Sequence, residues 1–519
     1  MVQEFVQLLI SSGNGRVAHV GSIAGIFPLP FSASYNGSKA AVHALSNTLR
    51  VELAPFNNIS RPLFLPENSL YKPIEQILLQ KRVGISQADN TGTPMHLASG
   101  FLYGIPDAPE QIPDSFYENM GFNYGRGSGA QLAAPARGWI FGLTEFKNRF
   151  ESAVSNYDTA RRYDAKFILL LNDLWGADGT QPAGSVFPGD DGDWDNYDSF
   201  IVNVIAGINS NSMFTDLAVD IWNEPDAGTL FWNGNQEQWL TMWSRGYEAF
   251  RASLGTTVQL FGPTLAGAPE TTNTWWTTFL AQIASDGTVP DAYVWHLEGS
   301  TADVNDDLQT NIPILDSMLS SHGLATKPIV IDEYGVFAEQ CPGGSAWWIS
   351  RLERYNVPGL RGNWLSGTEL HDFFASLLWK SDPTDATATG YWTNGDYQVY
   401  QYYNQMMTGH RVATTGSIDR LMDSYATVGT DKVRILVGGR QVTGTWQVTV
   451  NSLSSVGLPT SGTLDITTFQ FSFTGSHTGN VGAPTNLGVV GHTYTGNSVS
   501  FPIFQTDTTT TWAFEFAVA

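Results

Sequence analysis

Between residues 96 and 380, short apolar runs alternate with longer stretches whose apolar positions recur every three or four residues. The runs at 97–104, 121–124, 167–172, 217–222, 258–262, 292–297, 328–332 and 360–364 predict strands. The stretches at 111–120, 144–163, 195–209, 237–254, 274–285, 303–322, 345–355 and 368–379 predict amphipathic helices. Eight strand-then-helix units are what a (β/α)8 barrel requires, and about 285 residues fits its usual size, so the fold class is α/β. From about residue 406 the period falls to two, in VRILVGG, TWQVTV, DITTFQFSF and WAFEFAV, which predicts an antiparallel β-sandwich over 406–519. Two pieces precede the barrel, which spans 96–405. Residues 1–56 read as helix, strand (16–21) and helix (35–52), and 57–95, with prolines at 62, 66 and 73 and no sustained period, read as a junction.

Composition narrows the functions this fold serves. The 519 residues carry 26 basic and 49 acidic side chains, a net charge of −23 that repels phosphate backbones and anionic membrane surfaces. Nucleic acid and membranes are therefore not expected as partners. Hydrophobic residues at 42% against 14% charged belong to a compact globule. No apolar run reaches the roughly 18 to 20 residues that span a bilayer. The one cysteine, Cys341, has no partner for an internal disulfide. The opening MVQEFVQLLISSGNGR has neither the basic start nor the long apolar stretch of a secretory leader.

The run GRVAHVGSIAGIFPLPFSASYNGSKAAVHALSNTLRVELAPF resembles the short-chain dehydrogenase/reductase family over about 45 residues. The resemblance implies Tyr35 as proton donor, Lys39 as the residue that lowers its pKa and holds the nicotinamide ribose, and Ser22 as the orienter of the carbonyl. A dinucleotide fold also needs a glycine fingerprint upstream to seat the pyrophosphate, and the 34 residues before Tyr35 contain none. The piece is expected to be a fragment without reductase activity. A GxGxG at Gly125, Gly127 and Gly129 lies downstream and reads as loop geometry after the second barrel strand.

The strongest chemical signal is LAVDIWNEPD, an apolar strand running into Trp222, Asn223, Glu224 and Pro225; a second strand, KPIVIDEYG, ends in Glu333. Both glutamates fall at the C-terminal ends of barrel strands, counted as the fourth and seventh, where barrel active sites are built. Two carboxyls facing each other there are what retaining glycoside hydrolysis uses. These motifs resemble the clan A glycoside hydrolases, and with the Gly-Ile-Pro loop after strand 1 and the trailing sandwich they are most similar to family 39. The resemblance implies Glu224 as acid/base, Glu333 as nucleophile and Asn223 as the contact to the sugar 2-OH. It further implies Arg126, after strand 2, as the nucleophile-supporting arginine. In WHLEG, His296 is a candidate site residue, and Glu298 is either a substrate contact or a rim carboxylate.

Fifteen of the 17 tryptophans lie between Trp139 and Trp392, and Trp175, Trp222, Trp295 and Trp364 fall at or just beyond strand ends. Flat aromatic faces stack on the C–H faces of pyranose rings, so Trp175 and Trp364 join the candidate substrate contacts, Trp364 as the counterpart of the clan's tryptophan under the reacting sugar. Metal chemistry has little support: HExxH is absent, and Asp191, Asp193 and Asp195 start a calcium-like loop that lacks its glycine and its bidentate Glu. The expected function is retaining hydrolysis of a β-glycoside, β-xyloside first, on an oligosaccharide or polysaccharide and without a cofactor. Hydrolases that act on polymers are usually exported, so an extracellular location is expected. The rivals are an NAD(P)-dependent reductase and a non-catalytic carbohydrate-binding barrel.

Overall fold

The computed structural model describes residues 81–519 other than 302, together with His19–Val20 and Leu63–Phe64, which pair as parallel dipeptides. Ser22, Tyr35 and Lys39, and the helices expected around them, lie outside the described residues. The chain divides into two compact units, Met1–Leu79 and Gln80–Ala519.

In the second unit, eight parallel strands close into a barrel: Gly100–Leu102, Tyr124–Gly127, Lys166–Leu170, Leu217–Asp220, Gln259–Leu265, Ala292–Leu297, Ile329–Tyr334 and Gly359–Arg361. Alternation decides which side chains fill it. Tyr124, Ile168, Ala218, Phe261, Ala292, Val294, Val330 and Leu360 point inward and form a separate buried cluster. Their neighbours Phe167, Leu169, Leu217 and Val219 point outward into the larger cluster shared with the helices. Helix Asp195–Ser210 contributes Tyr197, Phe200, Ile201, Val204, Ile205 and Ile208 to that layer, the three-and-four spacing of one buried face. Side-chain caps fix several helix starts: Asn235 accepts from the Gln238 amide, Asn273 from Trp275 and Asp307 from Gln309. The last cap explains why the helix expected from 303 begins at Leu308.

Three expectations are corrected. The second strand is Tyr124–Gly127 rather than 121–124, so Gly125 and Gly127 belong to the strand and only Gly129, with φ of +71°, to the loop. A Cβ at Gly127 would press on the Tyr103 ring at 3.1 Å, which is why glycines flank Arg126 there. The helix expected at 368–379 does not form. A short 3-10 turn, Gly367–His371, leads into Phe373, Phe374, Ala375 and Ser376, all with positive φ and all buried. Phe374 stacks on Phe101 at 4.8 Å and Phe373 on Trp379 at 4.6 Å, so the apolar run plugs the barrel wall instead of coiling. The closing helix is Gly395–Gln405, capped by Asn394 and tied to helix Asp114–Met120 through Tyr397, whose hydroxyl donates to the Phe116 carbonyl.

The third correction concerns the junction at 57–95. Arg82–Gly92 is a long strand, buried at Val83 and Ile85, lying between His410–Thr415 and Gly444–Asn451 in a nine-stranded sheet made otherwise of C-terminal strands. The sheet folds over as a sandwich: Phe501, on one edge strand, meets Phe514, far along the strand order, at 4.8 Å. Its other face covers helix Pro342–Tyr355, which is buried from Pro342 through Glu353. A Cβ on Gly438 would collide with Gly343 and Trp347 of that helix, and Arg354 pairs with Asp423 while Arg411 pairs with Glu353 at 2.7 Å across the same seam.

Candidate active site

The C-terminal ends of the barrel strands converge on a cavity of about 190 Å3 lined by Asn223, Glu224, Glu298, Glu333 and Trp364, with Tyr103, Gln131, Asp178, Phe231 and Asn363 completing its wall. Glu224 follows the fourth strand with φ of +42°, a conformation side chains rarely adopt, and its amide donates to the Thr264 carbonyl at 2.9 Å. Glu333 lies in the seventh strand, where the register against the sixth shifts between Ile331 and Glu333.

Beneath the cavity sits a buried ionic floor. Arg126 Nη1 contacts Glu333 Oε1 at 2.5 Å, Nη2 donates to Asn223 Oδ1 at 2.6 Å, and Nε lies 2.9 Å from Asp220 Oδ2 and 3.0 Å from Asp332 Oδ2. One guanidinium thus holds the Glu333 carboxylate and fixes the Asn223 amide, whose NH2 is left to donate toward a ligand. Two carboxylates facing one N–H cannot both stay charged. Burial and the neighbouring Asp332 charge push Asp220 well above the usual carboxylate range; Asp332 is itself held low, because Arg126 and His296 together outweigh its burial.

His296 links the two glutamates. Its Nδ1 lies 2.7 Å from Glu224 Oε1, and its Nε2 lies 3.3 Å from Asp332 Oδ1 and 3.6 Å from Glu333 Oε1. Burial alone would lower its pKa, but the charges of Glu333, Asp332 and Glu224 raise it well above the ordinary histidine value. Burial, opposed by His296 and Arg126, leaves Glu333 raised. Glu298 is raised well above its ordinary value by burial and the Glu333 charge. A Cβ on Gly362 would collide with its Oε1, so glycine there makes room for this carboxyl beside Trp364.

The structure sorts the expected site residues into three groups. Glu224, Glu333, Asn223, Glu298 and Trp364 line the cavity; Trp364 is 44% exposed with its Nε1 donating to the Gly335 carbonyl, which leaves the ring face open. Glu298 is not a rim carboxylate. Arg126 and His296, both 1% exposed, lie under the cavity against the two glutamates. Trp175 is corrected outright: it is fully buried, packs edge-on against Phe200 and Trp222, and donates to the Val186 carbonyl. Its strand-end position was sound, but a short helix, Leu171–Trp175, turns the ring into the core.

Sequence reasoning missed Tyr103, Gln131, Asp178 and Asn363, together with Asp220 and Asp332 in the floor. For the two aspartates a signal was present, an ionisable residue inside an otherwise apolar strand run, LAVD and IVID. Tyr103 carries φ of +52° and donates to Asp173, which burial pushes up to about 7. Glu224, His296 and Glu298 bring three ligand atoms within 4.8 Å of one another, and the raised pKa values of His296 and Glu298 oppose a cation there, because metal ligands must give up their protons. Asp191 and Asp193 belong to a turn ahead of helix Asp195–Ser210, where Asp193 Oδ1 accepts from the Asp195 amide.

Among solved structures, the fold is similar to that of N2152 from Neocallimastix frontalis, with a TM-score of 0.66 and 18% identity over 84% of this chain and 99% of that one. It is also similar to a glucosidase from Croceicoccus marinus (TM-score 0.54, 12% identity, 85% and 99% covered) and to a GH39 enzyme from Xanthomonas axonopodis pv. citri (0.52, 12%, 85% and 97%). These likenesses establish a barrel with a C-terminal β domain. Residues 1–61 match the short chain dehydrogenase family. A short-chain dehydrogenase of Hypocrea virens is 51% identical over 57 residues, 11% of this chain and 20% of that protein; one of Pyricularia oryzae is 38% identical over 95 residues, 15% and 34%. The chain spans about a third or less of the length of these two relatives.

Proposed function

We propose that the chain is a retaining β-glycoside hydrolase acting on an oligosaccharide or polysaccharide. The observation that carries this reading is the pairing of two glutamates in one cavity with opposite supports: Glu333 gripped by the Arg126 guanidinium, Glu224 within 2.7 Å of an imidazole that holds its proton. A carboxyl gripped by a guanidinium and a second carboxyl facing it in the same cavity are the two groups that double displacement needs.

In the first step a Glu333 oxygen bonds to the anomeric carbon as the glycosidic C–O bond breaks, and the departing oxygen takes the proton from Glu224. In the second, the Glu224 carboxylate takes a proton from water, the water oxygen bonds to the anomeric carbon, and the ester to Glu333 breaks. Asn223 donates to the 2-OH, Trp364 carries the ring on its open face, and Glu298 donates to a further hydroxyl. β-Xyloside is the first substrate to try, by resemblance to family 39, and the fold shared with a glucosidase makes β-glucoside the second. The reading carries with it action outside the cell.

A panel of aryl β-glycosides (xyloside, glucoside, mannoside, arabinoside, galactoside), with the anomer formed first followed by proton NMR, tests it. Turnover with retained configuration is expected. No turnover across the panel overturns the hydrolase, and an inverted first product overturns Glu333 as nucleophile.

The family match at residues 1–61 favours a second reading, a nicotinamide-dependent reductase using Tyr35, Lys39 and Ser22. Fluorescence transfer from protein to added NADPH would support it; its absence is expected, because the pyrophosphate-binding glycines are missing from this sequence.

A further inference from the structure

Beside the cleavage cavity lies a larger one, about 570 Å3, lined by Pro106, Asp107, Gln111, Leu132, His371 and Thr387 among others, and Gln131 lines both. Two chain segments form the wall between them. Along the first, Ala130 faces the cleavage cavity and Leu132 the larger one; along the second, Leu365 and Leu370 face the cleavage cavity while Gly367 and His371 face the larger one. The segments are tied together twice: the Gly367 amide donates to Gln131 Oε1 at 2.9 Å, and His371 Nε2 lies 2.7 Å from the Ala130 carbonyl oxygen. Gln131 is itself clamped. Its φ is +58°, and its amide donates at 2.6 Å to Asp178 Oδ2, which the buried Arg149 holds at 2.6 Å. A glutamine kept in a left-handed conformation by a buried ion pair is a strained residue that the surrounding structure maintains.

Resting on the hydrolase reading, we infer that Gln131 is a specificity-determining residue that closes the cleavage cavity on its non-reducing side and restricts the enzyme to removing one terminal sugar at a time. The direction follows from the two glutamates. The leaving oxygen must lie against Glu224, so the aglycone extends on the fourth-strand side. The ring being cleaved lies over Trp364, after the eighth strand, with its far end toward the loops after the eighth, first and second strands. The Gln131 wall stands across that path. A chain carrying another sugar on its non-reducing side would have to pass into the larger cavity, which at about 570 Å3 has three times the volume of the 190 Å3 in front of the wall.

The test compares wild type with Gln131→Gly, which removes the wall's side chain and its tie to Gly367 and suits the φ of +58°. Substrates are 4-nitrophenyl β-xyloside against β-xylobioside, and β-glucoside against β-cellobioside, with sugar products separated by chromatography. Wild type should release single sugars and no free disaccharide from the aryl disaccharides. Gln131→Gly should release free disaccharide, with its rate relative to the aryl monosaccharide raised at least tenfold. Free disaccharide from wild type at a comparable rate, or a Gln131→Gly enzyme that turns over the monosaccharide and still makes no disaccharide, overturns the inference. If wild type turns over neither substrate, the full glycoside panel decides the hydrolase reading, and calorimetric titration with xylose, xylobiose, glucose and cellobiose decides the wall. Gln131→Gly should bind each disaccharide at least tenfold tighter than wild type does and each monosaccharide no tighter; equal disaccharide affinities in the two proteins count against it.

Discussion

His296 Nδ1 lies 2.7 Å from Glu224 Oε1, and the opposite nitrogen of the same ring faces Asp332 and Glu333 at 3.3 and 3.6 Å. On the hydrolase reading the imidazole joins the proton donor to the nucleophile, and the pH dependence of the reaction belongs to the group as a unit. Glu333 must be ionised to attack, and its pKa is raised, so activity should appear only as pH rises past the ordinary carboxylate value of about 4.3. His296 holds its proton well above its ordinary value of about 6.5, so its charge should support the Glu333 carboxylate above that pH as well. His296 is the first charge that opposes the burial of Glu333, so His296→Asn should raise the Glu333 pKa further and move the acid limb of kcat/KM to higher pH. An acid limb that stays in place would show that the imidazolium does not hold Glu333 ionised.

The two glutamates should fail differently. Glu333→Ala removes the nucleophile and should lower kcat by several orders of magnitude on every substrate. Glu224→Ala should retain the first step with a dinitrophenyl leaving group, which departs without protonation, and accumulate the glycosyl-enzyme. Azide should rescue both, with a glycosyl azide of retained configuration from Glu224→Ala and inverted configuration from Glu333→Ala; the reverse pattern would mean the roles are exchanged.

Arg126 is worth more to the site than its charge. Arg126→Met leaves Glu333, Asp220 and Asp332 facing one another without the guanidinium that joins them, so stability should fall by about 3–5 kcal/mol by chemical denaturation, and kcat should fall with it. Asp220→Asn, which replaces a raised carboxyl by a neutral group of the same shape, should cost far less than Asp332→Asn. Equal losses in the two variants would refute the assignment of the proton to Asp220.

Trp364 and Trp175 separate binding from packing. Trp364→Ala should raise KM with little change in melting temperature, since the ring is 44% exposed, whereas Trp175→Ala should cost about 3–5 kcal/mol of stability by emptying a core site. A large stability loss from Trp364→Ala would remove it from the sugar site.

The start of the folded unit is also testable. A chain beginning at Gln80 keeps the strand Arg82–Gly92 and should melt cooperatively; one beginning at Thr93 leaves His410–Thr415 and Gly444–Asn451 without the strand between them and should aggregate. Equal behaviour of the two would show that this strand is dispensable.

The sequence by itself determined the eight-strand barrel, the sandwich and the positions of Glu224 and Glu333. Apolar periodicity is local, and a carboxylate at the end of an apolar strand is fixed at the barrel mouth by alternation along that strand alone. It also carried Asn223, Glu298 and Trp364, which lie within three residues of strand ends. Only the tertiary structure decided the rest. Whether Trp175 meets sugar or core depends on Phe200 and Trp222, residues that reach it from other elements. That Arg126 gathers Glu333, Asn223, Asp220 and Asp332 follows from the closure of strands two, four and seven around one centre, and no spacing along the chain encodes it. The wall at Gln131 and the place of Arg82–Gly92 among the last strands have the same origin. Each is a pairing of segments more than 200 residues apart, set by which surfaces remain to be covered once the local elements have formed.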